Sequence, residues 1–337
     1  MDGTQTLRKK YRALAVLSAL GIWVAACEAP GPRPTSPEIK ALPIVDTHAH
    51  VNHDTSAEKL VSLMDEVGIR RMVLMARYYP GDGRSSDEDV IAMARKFPGR
   101  FIPFVGGQRP QLGRAAAWNN PNDSFSVRLL ADVSRKLGSG EFFGLGEFII
   151  LHYAYASART REGEVRHSVN TWLMGELAEL AGKFQVPLLI HMEGEPEAIP
   201  GMRSLLKRHP KANIIWAHSC GRSSASLIRQ MLTEHPNLFC DLGGMTNTGG
   251  YGSGWPKQGS WTFLIEDGMG NIYPEMKVLY EEYPTRFLIG TDVAHTDRLV
   301  DYTRRIHRFR QILSQLTPAT ARRLAHENAE ALFLRTQ

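Results

Sequence analysis

Few cysteines, no basic run and no apolar stretch of membrane-spanning length exclude several classes for this 337-residue chain. Forty basic residues against 35 acidic ones give a net charge of +5, but the excess is unevenly placed. Arg8, Lys9, Lys10 and Arg12 against Asp2 put +3 of it in residues 1–26, which leaves about +2 for the remainder. No cluster there suits a polyphosphate backbone, so nucleic acid is disfavoured as a partner. The apolar run Ala13 to Ala26 has signal-peptide length and is short for a permanent spanning helix. No Gly-x-Gly-x-x-Gly follows the first predicted strand, so a dinucleotide-binding open sheet has no support.

What the N-terminus does contain is a positive segment, the apolar run and then Val24-Ala25-Ala26-Cys27. Small residues before a cysteine resemble the lipobox of bacterial lipoproteins. The resemblance implies loss of residues 1–26, acylation of Cys27 and residence on the periplasmic face of a bacterial membrane. Glu28, where an inner-membrane retention signal would have Asp, points to the outer membrane. The Pro-rich residues 29–40 read as an extended tether, so the expected organisation is a leader (1–26), a lipidated Cys and tether (27–41) and one folded domain (42–337). Of the three cysteines only Cys220 and Cys240 would then stay free, in a compartment that permits disulfides. Both sit in apolar strand contexts, so a bridge and two buried thiols are equally open.

From residue 43 onward short apolar runs alternate with amphipathic stretches. Strands are expected at 43–50, 71–75, 101–105, 142–150, 186–191, 214–218, 238–242 and 287–290. Helical spacing of apolar residues places helices at 56–67, 87–97, 127–137, 171–184, 196–208, 224–234, 274–282, 296–313 and 318–334. Strands this uniformly apolar, each followed by a helix, predict a parallel closed sheet, a (β/α)8 TIM barrel. Gly243 to Gly270, carrying Tyr251, Trp255, Trp261 and Phe263, is a long Gly-rich loop after strand seven with the composition of a lid.

In such a barrel the chemistry sits at the C-terminal ends of the strands. His48 and His50 end the first run, and in an extended strand side chains two apart point to one side. Glu147 follows the core of strand four, His191 ends strand five, His218 strand six, and Asp292 strand eight. A charged or ligand-type residue at the end of an apolar run is costly to bury unless paired or metal-bound. Six such residues on five strands predict a metal site.

Asp46-x-His48-x-His50, the single histidines of strands five and six, Gly290-Thr291-Asp292 and the ending Glu327-Asn328-Ala329-x-x-Leu332-Phe333 resemble the amidohydrolase superfamily, in its amidohydrolase-related (family 2) branch. The resemblance spans residues 43–335. It implies that His48, His50 and Asp292 hold one ion and His191 and His218 a second. Glu147 would bridge them, as in TatD-type deoxyribonucleases and some phosphotriesterase-like lactonases. It further implies that a metal-activated water attacks an amide, ester, lactone or phosphoester bond of a small molecule. Asp292 would orient that water and carry its proton, with His218 also in the catalytic set. The decarboxylases of the same branch use one metal and no strand-four carboxylate, so Glu147 is a departure from them; its other reading is an acid facing the substrate or supporting the ligands. Imidazole and carboxylate donors suit zinc, with manganese, cobalt or iron as alternatives.

Arg77 and Arg222 are candidates to receive a substrate carboxylate or phosphate, or are structural loop arginines. His152, Trp255 and His295 are candidate pocket-lining residues. Two other readings compete with the hydrolase: a one-metal decarboxylase, and a non-catalytic lipoprotein that binds ligands. Oligomeric state is not legible.

Overall fold

Apolar runs buried along their length form a ring of parallel strands. The computed structural model describes residues 36–78, 85–153, 164–246, 263–293, 299 and 301–333. The ring is β1 (Ile44–Asp46), β2 (Ile69–Arg77), β3 (Phe101–Gln108), β4 (Leu145–His152), β5 (Leu188–Met192), β6 (Ile214–Trp216), β7 (Leu238–Asp241) and β8 (Phe287–Leu288). Each strand pairs in parallel with the next in sequence. The seam between β1 and β8 is closed by residues just past both strands. The amides of Thr47, Asp292 and His50 donate to the carbonyls of Ile289, His48 and Val293, each at 2.8 Å. The architecture is the (β/α)8 barrel that the alternation predicts.

Helices α1 (Ala57–Val67), α2 (Asp87–Lys96), α3 (Ser124–Gly138), α4 (Trp172–Phe184), α5 (Ile199–Arg208), α6 (Ala225–Glu234), α7 (Pro274–Glu282) and α8 (Tyr302–Leu313) follow the strands in turn. Five of them begin at a side chain that accepts an otherwise unpaired backbone N–H: Ser56, Ser86, Asp123, Thr171 and Ser224. Among the described residues no helix is long and apolar enough to cross a membrane.

Two apolar cores result. The larger lies between the sheet and the helices. The smaller fills the barrel, with Val45, Val73, Met75, Ile102, Phe104, Leu189, Ile215 and Leu288 packed against Ala329 and Phe333 of the last helix. Phe333 meets Phe104 edge to face at 5.5 Å. Residues 328–333 thus plug the N-terminal mouth, and the C-terminal mouth is left for chemistry.

The structure corrects the sequence expectation at residues 37–41 and 43–50 and settles one open alternative. Residues 43–50 are not one strand. Pairing with β2 resumes only at His50–Val51, because residues 47–49 also bond to residues beyond β8 and bend to reach both neighbours. The end of the expected tether belongs to the fold: Pro37–Ala41 is a helical turn capped by Ser36, and Arg310 Nη1 donates to the carbonyls of Ile39 (2.6 Å) and Leu42 (2.9 Å). Cys220 and Cys240 are bonded to each other, 20 residues apart, which decides between bridge and free thiols.

That bridge joins β7 to an unusual turn. Directly after β6, His218, Ser219, Cys220, Gly221 and Arg222 have φ of 58°, 52°, 52°, 72° and 62°. A left-handed run of L residues costs about 1–2 kcal/mol per residue, so it persists only where surrounding contacts hold it. Closing a 20-residue loop stabilises by about 3 kcal/mol on chain-entropy grounds. The Cys220→Ser/Cys240→Ser protein is therefore expected to lose about that much in denaturant unfolding; an unchanged midpoint would remove the bridge from the stabilising contacts.

Candidate metal centre

Both histidines of the first motif turn their Nε2 atoms to the barrel axis, 3.2 Å apart. Asp292 Oδ1 stands 3.6 Å from His48 Nε2 and 3.8 Å from His50 Nε2, completing one group of three. Glu147, His191 and His218 form a second: His218 Nε2 lies 2.8 Å from His191 Nδ1, and Glu147 Oε1 lies 3.0 Å from His191 and 3.4 Å from His218. Glu147 also joins the groups, with Oε1 3.6 Å from His48 Nε2 and Oε2 3.4 Å from His50 Nε2. Donors held ~2.1 Å from a tetrahedral ion stand about 3.4 Å from one another, so these separations are those of ligands around shared centres. All six residues that the strand-end rule singles out are brought together.

Two do so from left-handed backbone beyond their strands. His218 lies two residues past β6, in the left-handed turn, and Asp292 four residues past β8, with φ of 52°. Space for His48 comes from missing side chains: a Cβ at Gly243 would sit 2.8 Å from its Nδ1, and one at Gly290 would sit 2.7 Å from its Cβ. The side chains of His48, His50, Glu147, His191 and His218 are at most 4% exposed, whereas Asp292 is 17% exposed. Asp292 therefore faces the open side.

A family model described as Amidohydrolase matches residues 30–335. The chain belongs to the amidohydrolase family. No curated protein matches it. Among solved structures it resembles an uncharacterised TIM-barrel protein from Bordetella bronchiseptica (16% identity, 86% of this chain and 98% of that one, TM-score 0.57). It also resembles a probable 2-pyrone-4,6-dicarboxylic acid hydrolase from Acinetobacter baumannii with citric acid bound (14%, 86% and 98%, TM-score 0.52). A third is a dihydroxybenzoic acid decarboxylase from a Polaromonas species with bound manganese and an inhibitor (12%, 87% and 97%, TM-score 0.52). At these identities the likeness is one of fold. The family is one of enzymes, and the second and third of these neighbours are named as a probable hydrolase and a decarboxylase.

The amidohydrolase centre has supports that the sequence reading missed. Asp241 Oδ2 accepts from His48 Nδ1 at 3.1 Å, the carbonyl of Gly243 accepts from His218 Nδ1 at 2.7 Å, and Glu193 Oε1 accepts from His191 Nε2 at 3.3 Å. A carboxylate or carbonyl only accepts, so in each ring the outward nitrogen carries the hydrogen. His48 and His218 are thereby left with Nε2 toward the centre and His191 with Nδ1, the three nitrogens found there. Gln108 is a further support, its amide donating to Glu147 Oε2 at 2.8 Å. Asp241 ends the apolar run Leu238-Phe239-Cys240, and Glu193 lies two residues past His191, so both carried the same strand-end signal that singles out Glu147 and Asp292.

Of the candidate substrate residues, Arg77 is half-buried and donates through Nε to Gln108 Oε1 at 3.2 Å. The His152 ring lies 4.9 Å from that of His191; burial and the neighbouring His191 push it down to about 3, so it is neutral. Arg222 is fully buried, with Nη1 2.7 Å from Glu193 Oε1. Trp255, His295 and Cys27 lie outside the described residues, as do Tyr251 and Trp261 of the loop after β7.

Electrostatics of the amidohydrolase centre favour protons on two rings. Burial lowers the His48 and His191 pKa values, but Asp241 and Glu147 at the first and Glu147 at the second outweigh it: His48 is raised well above its ordinary value and His191 to about 9. Burial pushes Glu147 up, and His48 and His191 hold it well below the carboxylate range regardless. His50, lowered by burial, is neutral. The stabilisation from a protonated His191 is complete below pH 6.5 and disappears as pH rises through about 9; that from ionised Glu147 is present above pH 4.5 and lost on acidification. A cation bound by these nitrogens must displace their protons. Divalent metal binding at neutral pH is accordingly expected to release a proton each from His48 and His191, and to tighten as pH rises toward 9. Calorimetry in buffers of different ionisation enthalpy measures this; a heat independent of buffer would contradict it.

Proposed function

We propose that this amidohydrolase-family enzyme is a two-metal hydrolase of small molecules. The observation that carries the reading is the place of Glu147, between the His48/His50/Asp292 group and the His191/His218 pair, with oxygens 3.0–3.6 Å from nitrogens of both. His48, His50 and Asp292 would hold the first ion, His191 and His218 the second, and Glu147 both. The donor set fits zinc, with manganese, cobalt or iron as alternatives. A bound cation would supply Lewis acidity and a water whose pKa falls from ~15.7 toward ~7.

The rest of the chemistry belongs to the protein. Asp292 is held ionised, since His48 and His218 outweigh the effect of its burial. With its carboxylate toward the open side it takes the proton of the attacking water and returns it to the leaving group. Neutral His152 and the cation Arg77 line the approach, suited to a polar or anionic substrate. The bond cleaved is an amide, ester, lactone or phosphoester, and the loops choose among them. The fold likeness to a 2-pyrone-4,6-dicarboxylic acid hydrolase makes a lactone a sensible first probe.

We also place the enzyme outside the cytoplasm, anchored by an acylated Cys27 on the periplasmic face of a membrane. The leader-like residues 1–26 ahead of Cys27 and the Cys220–Cys240 bridge support this. Mass spectrometry of the membrane fraction tests it: an unmodified residue 27 would count against it.

The test of function is turnover against metal content, on protein loaded with zinc or manganese and offered lactones, esters, N-acyl compounds and phosphoesters. Hydrolysis that peaks at two equivalents per chain is expected. Full activity at one equivalent removes the two-ion scheme, and carbon dioxide release from an aromatic acid without hydrolysis favours the decarboxylase instead.

A further inference from the structure

Arg222 and Glu193 form an ion pair that the reaction just described does not use. Both side chains are buried, 0% and 4% exposed, and Nη1 meets Oε1 at 2.7 Å. A buried pair is expensive to desolvate and is often replaceable by apolar residues without loss, so its presence calls for a use other than stability. Its geometry supplies one. The same Oε1 that receives Arg222 also receives Nε2–H of His191, at 3.3 Å. On the other edge of that ring, Nδ1 faces His218 Nε2 at 2.8 Å and Glu147 Oε1 at 3.0 Å. His191 is thus held from behind by one carboxylate and faces the centre with its other nitrogen.

We propose that Glu193 is a positioning residue for His191, and that Arg222 orients Glu193 from the left-handed turn. The inference rests on the reading of His191 as a metal ligand. An imidazole has two tautomers, and only the one with hydrogen on Nε2 leaves an Nδ1 lone pair for a cation. Glu193 selects that tautomer and fixes the ring plane. Arg222 reaches Glu193 because residues 218–222 coil left-handed. The turn that sets His218 into the centre therefore also sets the support of His191, so both nitrogen donors of one ion depend on a single strained segment.

The test compares three proteins by chelator competition with zinc: wild type, Glu193→Leu/Arg222→Met and Glu193→Gln/Arg222→Met. The first double variant removes the acceptor together with the charge that would otherwise be stranded; the second restores an amide oxygen that still accepts from Nε2. The Leu/Met protein is expected to bind one of its two ions about 10–100-fold more weakly, the range for loss of such a support. The Gln/Met protein should recover most of that affinity. ¹⁵N–¹H spectra of the imidazoles in metal-free protein at pH 10, where the ring is neutral, give a second readout, in which His191 keeps hydrogen on Nε2 in wild type and Gln/Met and loses that preference in Leu/Met. Equal zinc affinity and an unchanged His191 spectrum in Leu/Met would overturn the positioning role and leave the metal reading intact. If wild type binds no zinc, the metal reading fails first and the inference falls with it.

Discussion

Asp292→Asn is expected to lower kcat/KM of the metal-loaded enzyme by on the order of 10³-fold, within the range that a positioned acid–base group supplies. The substitution keeps the shape and one oxygen toward His48 Nε2, 3.6 Å away, but an amide accepts no proton from the attacking water. Because His48 and His218 hold the carboxyl below its ordinary value, wild type should keep its base ionised throughout the neutral range. An acid limb arising from Asp292 should disappear in the variant. Steady-state kinetics over pH on protein of verified metal content measures both effects. Turnover indistinguishable from wild type would sink the catalytic role and favour a ligand-binding protein.

Glu147→Gln is the second large effect. The amide can keep its oxygen toward Gln108, which donates to it at 2.8 Å, but it then turns N–H groups toward His48, His191 and His218. Bound metal should fall from two equivalents to one, and hydrolysis should fall with it. Metal-free protein should also be destabilised by about 3–5 kcal/mol at neutral pH, as when one partner of a buried charged set is removed. The loss should shrink above pH 9, where His191 no longer carries its proton. Elemental analysis and denaturant unfolding at pH 7 and pH 10 distinguish the outcomes; two ions retained with normal activity would make Glu147 a bystander.

The parts of this centre that could be read in advance share one property: each breaks an apolar run. His191 after Leu188-Leu189-Ile190, or His218 after Ile214-Ile215-Trp216-Ala217, is conspicuous because a barrel strand buries everything before it. Periodicity reports burial and element type, and those were legible across eight strand-and-helix units. It does not report which buried groups meet. Arg222 and Glu193 are 29 residues apart, and nothing in either segment names the other. Backbone conformation was equally hidden. The turn at 218–222 has one glycine among five left-handed residues, so its composition carries almost none of the usual signal for positive φ. Cys220 and Cys240 could be bonded or free until the turn and β7 were placed side by side.

The seam between β1 and β8 has a consequence for biogenesis. Asp46 receives hydrogen bonds from the amide and hydroxyl of Thr291, 245 positions downstream, at 2.9 and 2.7 Å. A chain delivered N-terminus first therefore carries β1 with one flank unsatisfied until nearly the whole polypeptide has emerged. Contacts of such separation form late, and the waiting edge is a template for wrong pairing with other chains. A holding chaperone during that interval would protect the half of the reactive centre that is made first and completed last.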